Sequence, residues 1–85
     1  MPSGVESNLG MVYYGSGAIT ENGVNLRRGP GTSYESQGMV NKGDTLELTR
    51  IYQNDARQTW YLVRMTSGNN NGMYGWVISD FIKIS

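Results

Sequence analysis

The stretch "NLRRGPGTSYESQG", residues 25–38, decides the fold, because a strand pattern ends abruptly inside it. Val24 and Leu26 point to one side and Asn25 and Arg27 to the other, which is the alternation of a half-buried β-strand. The Gly-Pro-Gly run that follows cannot continue a regular element, because proline lacks a backbone N–H and glycine favours turns. The stretch therefore predicts a strand that leads into a shaped loop.

A glycine-rich loop after a strand could also cradle a phosphate group. Such cradles place their glycines between a strand and a helix N-terminus, and they add a Lys-Ser/Thr pair. Neither the helix pattern nor the pair follows here, so phosphate binding is not expected. Nucleic-acid binding is not expected either, because seven basic and seven acidic residues leave no surplus of positive charge.

The residue types that are missing narrow the chemistry further. The 85 residues include no cysteine and no histidine, which excludes disulfides, zinc–thiolate sites and the Cys–His and Ser–His–Asp forms of catalysis. The seven acidic residues suggest no carboxylate pair across a deep cleft, which a glycosidase would need. We therefore expect no enzyme activity, no cofactor and no metal site. No apolar run is long enough for a membrane span or a signal-peptide core, so we expect no membrane insertion and place any signal peptide outside this sequence.

Short strands account for most of the remaining chain. Three segments are identified by their alternation and their branched or aromatic residues: "TLELTRI" (45–51), "TWYLVRM" (59–65) and "MYGWVI" (73–78). In the first of them, Leu46 and Leu48 should face inward and Thr49 outward. In the last strand of the chain, Ile82 and Ile84 should both face inward. No segment shows a sustained helical period, so the pattern predicts an all-β sandwich or barrel.

Turn signals separate these strands. Asn22-Gly23 and Asn71-Gly72 suit turns with positive φ, and "SDF", residues 79–81, suits a single helical turn. Residues 1–10 contain little apolar sequence, whereas "MVYYG" (11–15) is aromatic and β-branched. Residues 1–16 are predicted to be a linker, native or added, that could include a short lead-in strand at "MVYYG". Residues 17–85 form the predicted domain.

Four segments in order resemble the bacterial SH3 domain, the Src-homology-3-like or SH3b family: "VNLRRGPGTSYESQGMV", "KGDTLEL", "WYLVRM" and "YGWVISDFIKI". The resemblance covers about residues 18–84. It implies a small, partly open β-barrel of five or more short antiparallel strands, with one short helical turn near the C-terminus. The sequence departs from the family pattern in the longer loops 52–58 and 66–72, and in Arg28, where a small polar residue is common.

The resemblance also implies a location and a role. The family occurs mostly in bacterial extracellular and cell-envelope proteins and in phage lysins, where it commonly accompanies a peptidoglycan-cleaving domain and holds it on the cell wall. Several members bind peptidoglycan peptides. The expected partners are therefore a peptidoglycan or cell-wall peptide and a catalytic or surface domain covalently linked in the parent chain.

Aromatic side chains are the main candidates for a ligand-binding groove. On an SH3-like barrel, the first loop, the start of the Trp-Tyr strand and the terminal turn should surround one groove, and exposed aromatic rings there could bind a peptide or a glycan. The predicted ligand-binding residues are Tyr34, Trp60, Tyr74, Asn25, Trp76 and Phe81, with Trp60 and Tyr34 stacking on the ligand. The aromatic residues could instead simply cap a small barrel.

Two alternatives concern the polar residues and the function. Asn25 and Arg27 could contact a ligand, or they could satisfy the carbonyls of the following loop. The domain could bind cell-wall peptide as a targeting module, or it could be an interdomain or protein–protein interaction module that does not bind the wall. A basic proline-rich ligand is poorly matched, because the first loop carries Glu35 alone as an acidic residue, beside Arg27 and Arg28.

Overall fold

The computed structural model describes residues 15–85, which form seven antiparallel strands in one sheet and a single 3₁₀ turn. The strands are β1 (Gly15–Ile19), β2 (Val24–Arg27), β3 (Ser36–Val40), β4 (Thr45–Gln53), β5 (Thr59–Met65), β6 (Tyr74–Ile78) and β7 (Ile82–Ile84). The 3₁₀ turn, Ser79–Phe81, joins β6 to β7. The prediction of an all-β fold with a short helical turn near the C-terminus is confirmed. Most of the predicted linker and lead-in strand lies outside the described residues, although Gly15 and Ser16 belong to β1.

The order of strands explains why the sheet does not close into a complete barrel. Neighbours across the sheet run β3-β2-β6-β5-β4-β1-β7, so β3 and β7 are the two edges and do not pair with each other. The first strand of the resemblance, β2, pairs with both β3 and β6. The contact between Arg27 and Trp76 across β2 and β6 sets the point from which the loop of residues 28–35 departs.

The core lies on one face of this sheet. Nine buried apolar side chains form a single cluster: Ile19, Val24, Leu26, Val40, Leu46, Leu48, Val63, Met65 and Val77. They come from six of the strands, including an edge strand, so the sheet must fold over itself to bring them together. The alternation predicted for β2 is confirmed, since Val24 and Leu26 are buried while Asn25 and Arg27 are half-buried. Each fully buried branched side chain contributes about 1.5–3 kcal/mol relative to exposure.

Two predicted orientations are wrong. Thr49 was expected to face outward but is buried, because the register between β4 and β5 shifts between Leu48 and Arg50. At this bulge the Thr49 hydroxyl donates a hydrogen bond of 2.8 Å to the carbonyl of Leu62. Ile84 was expected to face inward but is exposed, since it ends the edge strand β7, which pairs only with β1.

The turns and loops follow the glycine signals closely. Gly23 and Gly72 have φ of 70° and 91°, as the two Asn-Gly dipeptides predicted. The loop predicted at 52–58 is shorter, because β4 continues to Gln53. Its remaining residues are 54–58.

A substitution of Gly75 tests how closely β6 packs against the core. A Cβ atom on Gly75 would lie 2.5 Å from Cγ of the fully buried Leu26. Gly75→Ala should therefore lower the free energy of unfolding by about 1–3 kcal/mol, as overpacking does. Gly31→Ala is the matched control, because its Cβ would meet nothing nearer than 3.5 Å and should leave stability unchanged or raised by up to about 1 kcal/mol. Urea denaturation measures both, and equal stability of the two variants would contradict this packing.

Candidate binding groove

Three neighbouring cavities share lining residues with one another. The tyrosine cavity, about 360 Å³, lies between loop 28–35 and loop 54–58. The central cavity, about 160 Å³, shares Thr32 with it. The acidic cavity, about 430 Å³, shares Asn25 and Phe81 with the central one. We refer to the three together as the groove.

Arg27 holds the loop that forms one wall of the groove. Its Nη1 donates hydrogen bonds to the carbonyl of Thr32 at 3.2 Å and to that of Tyr34 at 3.0 Å. The backbone N–H of Arg28 donates to the carbonyl of Glu35 at 2.9 Å and closes the base of the loop. Of the two predicted alternatives for Arg27, satisfaction of loop carbonyls is therefore what the structure shows.

The glycines of the opening stretch make room for a tyrosine ring. A Cβ atom on Gly29 would clash with the ring of Tyr34, and Gly31 also lies against that ring. Tyr34 thus packs on the backbone of its own loop while remaining 49% exposed. Tyr52 lines the same cavity from the end of β4 and is 43% exposed.

Asn54 ties the two walls of the tyrosine cavity together. Its Nδ2 donates to the carbonyl of Pro30 at 3.3 Å, and its Oδ1 accepts the backbone N–H groups of Ala56 and Gln58, both at 3.0 Å. The sequence reasoning missed Asn54 and Tyr52. An asparagine that opens a polar loop is a signal for such a turn, whereas Tyr52 carried no local signal because its segment resembled a loop.

The structure brings some of the predicted site residues together and separates others. Tyr34, Asn25, Trp60 and Phe81 all line the groove. Tyr74 and Trp76 line none of its three cavities. Tyr74 pairs with Arg64 at the end of β6 that lies away from the groove. At the strand rise per residue, it is about 13 Å from Ile78, which lines the central cavity. The rings of Trp76 and Tyr52 pack in a T-shaped arrangement, with centroids 6.3 Å apart.

Trp60 is not the exposed aromatic residue that the sequence predicted. It is only 2% exposed, although it lines the central cavity. Thr32 from the first loop and Phe81 from the 3₁₀ turn line the same cavity, so two segments remote in sequence close around the indole. Its Nε1 has no hydrogen-bond partner among residues 15–85. A ring so deeply placed has no open face for stacking, and its predicted contact with a ligand remains a prediction.

Charge differs along the groove. Within residues 15–85 the ion pairs are Arg28–Glu35, at 3.2 Å, and Arg64–Glu47, at 2.8 Å, and both lie outside the groove. Glu21 and Asp80 line the acidic cavity.

No group of three or more acidic residues in the described part of the chain could hold a metal ion. No helix among residues 15–85 is long and apolar enough to cross a membrane.

The open seven-stranded sheet with a 3₁₀ turn before its last strand defines a small SH3-like domain. A family model described as bacterial SH3 domain matches residues 22–83, and the chain belongs to this family. Its members are often involved in cell-wall binding, are generally non-catalytic and are common in extracellular or cell-envelope proteins. Comparisons with curated proteins and with solved structures gave no match.

The role of Arg27 in holding the loop of residues 28–35 can be tested by comparing a variant of Arg27 with the same variant of Arg28. Arg27→Met keeps the stem but removes both hydrogen bonds to loop carbonyls, so it should cost about 1–3 kcal/mol of stability and speed amide hydrogen exchange in residues 28–35. Arg28→Met removes only an exposed ion pair and should change stability by less than about 1 kcal/mol. Equal exchange rates in the two variants would show that Arg27 does not hold the loop.

Proposed function

We propose that this domain is a non-catalytic module that binds peptidoglycan peptide in the groove. It would thereby hold a larger bacterial or phage cell-envelope protein, such as a peptidoglycan hydrolase, on the cell wall. The observation that carries this proposal is that the three cavities are neighbours, since they share the lining residues Thr32, Asn25 and Phe81. Several neighbouring cavities suit an extended chain better than a compact small molecule.

The lining of the groove supports a peptide as the ligand. At one end, Tyr34 and Tyr52 offer two exposed rings that can pack on a peptide backbone. Side-chain amides of Asn25 and Gln58 lie along it and can donate to and accept from peptide groups. Tyr74 and Trp76 are left outside the proposed site.

The same geometry argues for weak binding at each site. The groove is shallow and open, so little ligand surface is buried to offset the entropy lost on association. The cell wall presents the same peptide many times, and a linked second wall-binding domain would raise the overall affinity by multivalency. A targeting module needs retention on a polymer more than a tight single contact.

Catalysis has little support in the arrangement of acidic residues. Asp55 lines the tyrosine cavity, whereas Glu21 and Asp80 line the acidic cavity at the other end. A two-carboxylate mechanism requires both groups to flank one scissile bond. Glu21 and Asp80 share a cavity but are exposed to solvent, whereas a catalytic carboxylic acid usually lies in a buried environment.

A second candidate function is contact with a neighbouring domain. Four large hydrophobic side chains are exposed outside the groove: Met39, Ile51, Tyr74 and Ile84. In this case the isolated domain should self-associate, because an interdomain surface would be left open. Sedimentation velocity of the isolated domain tests this, and a monomer at high concentration would count against it.

Sedimentation with isolated Gram-positive sacculi tests the proposed function. The domain should pellet in a saturable manner, and the amount should survive removal of teichoic acid. Tyr34→Ala and Tyr52→Ala should each weaken retention about fivefold or more, the scale of a hot-spot truncation above 1 kcal/mol. Tyr74→Ala removes an equally exposed ring outside the groove and should pellet like the unaltered domain.

The fold of each variant is checked by circular dichroism before pelleting. Absence of pelleting with several wall types would contradict the proposal. So would a loss caused by Tyr74→Ala with no loss from the other two variants.

A further inference from the structure

The acidic cavity has a distinctive chemistry within the groove. Its lining contains the carboxylates of Glu21 and Asp80, the ring of Phe81, and no basic side chain. Neither carboxylate forms an ion pair or a hydrogen bond within residues 15–85. The lining therefore offers two negative charges and an aromatic surface that no cation of the described chain occupies.

A second and independent observation lies next to this cavity. Trp60 is almost completely buried beneath the adjoining central cavity, and its indole Nε1 has no partner in the described part of the chain. Buried donors without partners are rare in folded proteins and call for an explanation, which an acceptor supplied by a ligand would provide. An indole N–H can only donate, so the group that completes it must be an acceptor such as a peptide carbonyl.

We infer that the groove binds a peptide carrying a free primary ammonium group, which the acidic cavity accepts. The ammonium would lie between the carboxylates of Glu21 and Asp80 and against the ring of Phe81, while a carbonyl of the same peptide accepts the Trp60 N–H. This inference rests on the proposed function and names the feature of the wall peptide that is recognised. Because the Trp60 nitrogen is covered, the lining of the central cavity must give way when the ligand enters.

An ammonium group fits this site better than a metal ion does. Two exposed carboxylates are too few for Ca²⁺, which takes six to eight oxygen ligands. An ammonium needs only three acceptors and is also attracted to an aromatic face. Wall peptides carry primary amines on a diamino-acid side chain or at the N-terminus of a bridge peptide. Cross-linking converts that amine into an amide, so the domain should prefer peptides that are not cross-linked.

Two pairs of synthetic peptides test this preference by NMR titration. The first is an N-acetylated stem tetrapeptide with lysine at the third position, compared with its Nε-acetyl-lysine form. The second is a short bridge-like peptide with a free or acetylated N-terminus. The free amine should bind about fivefold more tightly than its acetylated form in at least one pair, and the preference should shrink in high salt. The pair that shows it identifies the source of the ammonium.

Charge-neutral variants assign the preference to the acidic cavity. In the double variant Glu21→Gln/Asp80→Asn, the free and acetylated peptides should bind equally, at the affinity of the acetylated form. Glu35→Gln is the matched control, because Glu35 is paired with Arg28 outside the groove. It should keep the full preference.

The possible failures are distinguishable. Equal binding of free and acetylated peptides to the unaltered domain would overturn the inference and leave wall binding intact. A preference that persists in the double variant would also overturn it. Failure of both peptide pairs to bind would overturn it as well, while pelleting with sacculi would still support the proposed function. Failure in both experiments would overturn both.

Discussion

The groove depends on one side chain that joins the sheet to the loop above it. Arg27 ends β2 beside Trp76 of β6, and its guanidinium spans the loop by holding the carbonyls of Thr32 and Tyr34. Loop carbonyls near a sheet need partners, and a charged donor forms stronger hydrogen bonds than a neutral one. With the loop held in this position, Thr32 lies over the central cavity and the ring of Tyr34 faces loop 54–58. Both walls of the groove follow from that placement.

The groove changes character along its length, and this gradient suggests how it could select a ligand. Exposed tyrosines lie at one end, a buried indole with an unpartnered N–H lies near the middle, and two carboxylates lie at the other. Aromatic packing is tolerant of sequence, whereas charge and a single buried donor are specific. The combination would let a weak module discriminate between chemical states of a repeating polymer, since buried area alone does not set affinity.

Local pattern was sufficient for most of the fold but not for the site. Alternation correctly placed Val24 and Leu26 in the core, because burial on one face imposes a period of two. It failed at Thr49, where a bulge shifts the register, and no local signal marks that bulge. It also could not predict the burial of Trp60, which lies on the face opposite the core. That burial depends on a loop and a turn that converge from distant parts of the chain, as does the meeting of Glu21 with Asp80.

The most direct test of the groove is the NMR signal of the Trp60 indole N–H during titration with soluble peptidoglycan fragments. Backbone N–H signals of loop 66–72, which joins β5 to β6 at the end away from the groove, serve as the internal reference. If wall peptide binds as proposed, the Trp60 indole signal should move downfield as its N–H gains an acceptor, while the signals of loop 66–72 stay nearly fixed. Binding that shifts loop 66–72 and leaves the Trp60 indole signal unchanged would place the ligand elsewhere and contradict the account.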